Sequence, residues 1–244
     1  SFEKNEKNSS QIESKFGILS EIKPSSQTIG TEVKIEDLFE NVPARLKFLK
    51  SETSESTQIK AVIKALALAQ PQVEFKLINN GDLQLYYPKR VHNIERARDV
   101  LEKKELFEAQ GLSSSLKCRV VFSSPHEIAK TSKQIWIFVQ NRWVQDRAIQ
   151  AAVMDAYRSL LMHGEYPFAV VWLDCKPDEI DVNIHPTKSQ IKFQDASAAF
   201  KIVHSTLRNA LEKAPWIGDY QRAAPTGPAA IQAHNLKLFD QNYE

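Results

Sequence analysis

Cysteine is scarce in this chain, at two in 244 residues, and neither Cys118 nor Cys175 has another Cys or a His nearby at metal-ligand spacing. That argues against a disulfide scaffold or a zinc site and for buried thiols in a reducing compartment. Glycine is scarce too, at seven, and no G-x-x-x-x-G-K-[ST] or G-x-G-x-x-G occurs. Neither a Walker phosphate loop nor a Rossmann dinucleotide turn is therefore encoded. No apolar run approaches the roughly 18 residues of a membrane span. The opening SFEKNEKNSSQ lacks the apolar core of a signal peptide, so the chain reads as cytoplasmic and as starting inside a larger protein. Lysine and arginine (32) nearly balance aspartate and glutamate (30), leaving a net charge of +2. A site for nucleic acid would have to be a local patch.

What is present is a globular composition, 42% apolar and 25% charged, in a length that holds one large or two ordinary domains. Weak strand signals at Ile12, Phe16, Ile18 and Ile22 precede a turn at residues 23–28 and a strand at 31–35. Asn41 as a cap and Pro43 in the first turn start a short helix. Residues 55–70 place Ile59, Val62, Ile63, Leu66 and Leu68 near helical spacing, and Pro71 stops them. Residues 73–77 and 83–87 alternate around Asn79-Asn80-Gly81, a hairpin signal. A basic helix follows from Lys89, then strands at 116–122 and 134–139, a short strand at Trp143-Val144, and a helix at 146–162. Residues 168–173 form a continuous apolar strand, and a last helix covers 196–213. Residues 218–233 read as linker.

The stretch EIDVNIHPTKSQIKF, residues 179–193, alternates as two strands around a loop whose Pro186 fixes the backbone beside Lys188. On the residues alone a turn lysine is most simply a solvated charge. In QNRWVQDR, Arg142 and Arg147 flank an aromatic at a strand-to-helix junction, where side chains and free helix N–H groups can meet phosphates. Arg90, Arg96 and Arg98 could extend that surface. The plain alternative is a solvated turn with Asp146 as the partner. Asp174, Asp178, Glu179 and Asp181 alternate with apolar residues and suit a solvent face better than a metal site, and His126 and His163 stand alone.

D-V-N-I-H-P-T-K, ending at Lys188, together with G-T-E-V-K-I-E-D-L-F-E-N-V-P-A-R-L-K-F-L, from Gly30 to Leu49, resembles the N-terminal region of the MutL mismatch-repair family over about residues 30–211. The resemblance implies an α+β chain with three parts. Residues 1–88 would be the back part of an ATPase-type α/β sandwich of the gyrase, chaperone, histidine-kinase and MutL (GHKL) class. Residues 89–214 would be a transducer domain of the type shared with gyrase and some ribosomal proteins, and 215–244 a linker. It implies ATP and magnesium as cofactors of the complete protein, with Lys188 on the terminal phosphate and Thr31 beneath the adenine. The Glu–Asn helix and glycine motifs of that class do not precede Gly30, so the chain alone is expected neither to hold the cofactors nor to hydrolyse ATP. It implies DNA as a partner through Arg142 and Arg147, a mismatch-recognition protein, a repair endonuclease or helicase, and a homodimer. Gln140-Asn141 stands where the family has Asn-Gly, and Gln145 where it has Arg. Leu236, Leu238 and Phe239 resemble a sliding-clamp-docking peptide. The function implied is ATP-dependent coordination of mismatch repair; the alternative is a non-enzymatic nucleic-acid-binding or scaffold module.

Overall fold

The computed structural model describes residues 9–26, 30–113, 115–176, 179–181 and 191–214. The chain divides into two compact units, residues 1–59 and 60–244.

The first unit opens with four short strands, β1 (Ser9–Gln11), β2 (Ser14–Lys15), β3 (Ile18–Leu19) and β4 (Lys23–Ser25). β1 pairs antiparallel with β4, and β2 with β3. Phe16 and Gly17 turn the inner hairpin with φ of 52° and 85°, the backbone a two-residue hairpin loop demands. Residues 23–25 are thus strand where the sequence suggests a turn. Pro24 is compatible with that because a two-stranded ribbon has a free edge on which a missing N–H costs nothing. The strand expected at 31–35 does not form: Gly30 makes an isolated bridge, and Val33 and Ile35 are 79% and 74% exposed. An alternating segment becomes a strand only beside a ladder partner, and no described residue supplies one. The short helix α1 (Pro43–Leu46) is capped by Val42 rather than Asn41, without a side-chain bond.

Helix α2 (Glu52–Ala69) runs from the first unit into the second, with Glu52 and Glu55 at its positive end. Its buried face is Ala65, Ala67 and Leu68, whereas Val62 and Leu66 are about half exposed. The expected stripe is therefore split, because spacing alone does not say which of two apolar arcs meets the core. Hairpin β5 (Phe75–Asn79) and β6 (Asp82–Tyr87) turns at Asn80 and Gly81, with φ of 52° and 88°. Helix α3 (Asn93–Leu101) starts after His92, whose N–H donates to the Glu95 carboxylate at 3.3 Å.

The second unit centres on a five-stranded sheet. Its members are β7 (Leu106–Leu112), β8 (Leu116–Ser123), β10 (Ile135–Val139), β11 (Arg142–Val144) and β13 (Ala169–Cys175), in the order β11-β10-β13-β8-β7. A small ribbon pairs β9 (Ile128–Ala129) with β12 (Tyr166–Pro167). β10 and β13 are parallel and joined through helix α4 (Arg147–Ala156); the other pairs are antiparallel. β14 (Ile180–Asp181) pairs with β15 (Lys192–Phe193), and helix α5 (Ala196–Glu212) ends the described chain.

Both faces of the sheet are covered. On one, Cys118, Val120, Phe122, Ile137, Val171 and Leu173 pack under α4 and α5. On the other, Val121, Trp136, Phe138, Val170 and Trp172 meet residues of α2, β6 and α3. This explains why residues 168–173 show no alternation: a strand buried on both sides needs apolar residues throughout. α4 stops at Ala156, short of the predicted Met162. Tyr157 leaves the helix, and its hydroxyl donates to the Ser123 carbonyl at 2.6 Å. Among the described residues no helix is long and apolar enough to cross a membrane.

Candidate nucleic-acid interface

Arg142 and Arg147 are placed by one hairpin and the helix that follows it. β10 and β11 pair Val139 with Arg142, Phe138 with Trp143 and Ile137 with Val144. Gln140 and Asn141 form the two-residue loop with φ of 51° and 58°, so the turn is of the I′ kind without a glycine. Trp143 lies against Trp136, ring centres 5.3 Å apart, and Val144 is buried. These two contacts root the hairpin while Arg142 stays exposed. Asp146 then caps α4, its carboxylate accepting from the Ile149 N–H at 2.9 Å. Arg147, the first residue of α4, is exposed.

The cap removes Asp146 as the partner of the arginines. Asp146 is engaged by the helix N-terminus rather than by a guanidinium, and among the described residues neither Arg142 nor Arg147 has an ion-pair partner. Two unneutralised charges thus flank β11, Arg147 at the positive end of the α4 dipole and Arg142 at the hairpin tip. That arrangement can receive anionic oxygens.

The other arginines are differently used. Arg90 makes a two-pronged pair with Asp99 at 2.8 and 2.9 Å. Arg96 is fully buried, one terminal nitrogen donating to the carbonyls of Pro71 and Val73 at 2.7 Å each, so it contributes nothing to a surface. Burial lowers its pKa, with Asp99 opposing the shift. Arg98 is exposed and reaches the Leu106 carbonyl at 3.5 Å. The buried role of Arg96 had no signal in a sequence where it reads as one more charge in a basic helix.

Thr31 is exposed in the first unit, next to Gly30 with φ of 130°. Lys188, Leu236, Leu238 and Phe239 lie outside the described residues. Of the expected site residues, Arg142 opens β11 at the hairpin tip and Arg147 opens α4, both exposed. Glu179 accepts from the Lys176 N–H at 3.3 Å, and among the described residues no cluster of three or more His, Cys, Asp and Glu could hold a metal ion.

The model of the DNA mismatch repair protein C-terminal domain matches residues 98–212, which contain this junction. The MutL mismatch repair protein of Clostridium acetobutylicum is 36% identical over 204 residues, covering 81% of this chain and 33% of that protein. The chain belongs to the MutL DNA mismatch repair family. The Aquifex aeolicus MutL ATPase domain complexed with ADP shares its fold, with a TM-score of 0.60 at 23% identity over 81% of this chain and 68% of that one. The B-subunit of DNA gyrase from Myxococcus xanthus matches with a TM-score of 0.51 at 12% identity, over 87% of this chain and 66% of that one. The mixed α/β fold is thus shared with these two ATPase-domain and gyrase structures. The chain spans between 33% and 39% of the length of two curated MutL relatives it matches.

Proposed function

We propose that this chain is the back part of a MutL ATPase domain, residues 1–88, followed by its transducer domain, residues 89–214, and that it takes part in ATP-dependent coordination of mismatch repair on DNA. The observation that carries the DNA contact is the capture of Asp146 by the α4 cap, which leaves Arg142 and Arg147 exposed and without an ion-pair partner among the described residues. Each phosphate neutralised contributes about 0.9 to the log–log salt slope on duplex DNA. Two such charges make a weak, sequence-tolerant and strongly salt-dependent contact.

ATP supplies a terminal phosphate whose charge changes on hydrolysis. The ammonium of Lys188 and the hydroxyl of Thr31 suit holding that nucleotide. The described residues offer no such fit for magnesium, which would be held by other parts of the complete protein. A mismatch-recognition protein, a repair endonuclease or helicase, and a second copy of the protein complete the proposed assembly. The apolar triplet Leu236, Leu238 and Phe239 is proposed to dock on a sliding clamp, and a peptide of residues 231–244 that shows no saturable binding to the clamp removes that contact.

The test of the DNA surface is Arg147→Glu in the complete protein. Weaker binding at low salt and a smaller salt slope, with the thermal midpoint unmoved, are expected. Unchanged affinity at low salt with intact stability would overturn the reading.

A further inference from the structure

The tip of the β10–β11 hairpin is held in an unexpected way. Gln140 and Asn141 both adopt left-handed backbone, a conformation that costs a residue with a Cβ roughly 1–2 kcal/mol and that Asn tolerates better than Gln. A glycine at the first loop position would avoid the cost. The Gln140 side chain does something a glycine cannot: its Nε2 donates to the main-chain carbonyl of Cys175, at the end of β13, and lies 3.9 Å from the Cys175 Sγ. The Gln140 N–H also donates to the Leu173 carbonyl at 3.0 Å. The tip is therefore fastened to β13 twice, once by main chain and once by side chain.

This fastening matters because β11 is a three-residue edge strand whose only sheet partner among the described residues is β10. A hairpin so short is marginal unless packing holds it. Arg142 is the second residue after Gln140, and the start of α4, with Arg147, follows five residues later. A tip free to swing would carry Arg142 with it and loosen the approach to the α4 N-terminus.

We infer that Gln140 is a positioning residue for the phosphate-contacting junction, its side-chain amide fixing the Arg142 turn against the end of β13. The inference rests on the proposed DNA contact of Arg142 and Arg147.

The experiment compares Gln140→Gly, Gln140→Met and Arg142→Ala in the complete protein, reading binding to a labelled random-sequence DNA duplex across a salt series together with thermal midpoints. Gln140→Gly removes the amide while relieving the left-handed backbone, so its stability should hold or rise. Gln140→Met keeps the length and removes the donor. Both should weaken binding at 50 mM salt and lower the salt slope by up to about 0.9, so that between 50 and 200 mM the wild type loses about three-fold more affinity than they do, approaching Arg142→Ala. A role confined to turn stability would move the midpoint of Gln140→Met and leave the salt slope of the folded protein unchanged, which overturns the inference. Wild-type binding by both Gln140 variants, with Arg142→Ala impaired, overturns the inference alone. Wild-type binding by Arg142→Ala removes the DNA reading and the inference with it.

Discussion

Gly111 on β7 faces Thr206 on α5 so closely that a methyl group added to the glycine would lie 3.2 Å from the Thr206 Cβ and overlap its Oγ1. The threonine is not free to yield, since its hydroxyl donates to the Ile202 carbonyl at 2.6 Å. Gly111→Ala is expected to destabilise the protein by about 1–3 kcal/mol through overpacking. Urea unfolding should show the loss and a partial recovery in the Gly111→Ala, Thr206→Ala double variant, because residues in direct contact couple. Additive effects of the two changes would contradict the contact.

Arg96 ties α3 to the segment after α2, through the carbonyls of Pro71 and Val73. Pro71 keeps a second donor in the Arg90 N–H at 2.8 Å, so the Val73 carbonyl is the group at risk. Arg96→Met should cost about 1–3 kcal/mol, the loss of the charged guanidinium's hydrogen bonds to these carbonyls. The DNA salt slope should be unaffected. A lowered slope without loss of stability would place Arg96 on the binding surface after all.

The two thiols should differ in reactivity. Burial pushes the Cys118 pKa up from its ordinary value of 9.0 to about 12, while Cys175, only partly buried, is raised less. At pH 8 a thiol reagent should therefore modify Cys175 before Cys118, and modify both at once only after unfolding. The same shift has a stability consequence. The folded state holds the Cys118 proton more tightly than the unfolded state, so this contribution is complete below pH 9 and is lost as pH rises toward 12. Burial likewise raises Tyr87 to about 12. A denaturation midpoint that stays level or climbs between pH 9 and pH 11 would count against both assignments.

Lys188→Ala in the complete protein should depress ATP turnover far more than ADP affinity, since an ammonium aimed at the terminal phosphate has no partner once that phosphate is gone. Thr31→Ala should weaken both nucleotides alike. Steady-state ATPase assays beside ADP titrations separate the two. Wild-type turnover in the Lys188 variant would remove the sensor role.

Local chemistry by itself determined much of this protein. Asn80-Gly81 takes the left-handed backbone that its hairpin needs, Asp195 caps α5 by accepting from the Ala198 N–H, and α5 spans Ala196–Glu212 as its spacing predicts. The long motifs from Gly30 to Leu49 and around His185-Pro186 sufficed for the family. The strand-to-helix junction that carries Arg142 and Arg147 was legible because turn and cap residues are local signals. Tertiary structure decided the rest. It chose which apolar arc of α2 is buried, ended α4 where the Tyr157 hydroxyl finds the Ser123 carbonyl, and turned Arg96 from a solvated charge into an interior tie. It took Asp146 away from the arginines and gave Gln140 an acceptor 35 residues along the chain. The reason is the same in each case: propensity and capping act within a turn of chain, whereas burial and hydrogen-bond partnership depend on segments far apart in sequence, which no local pattern reports.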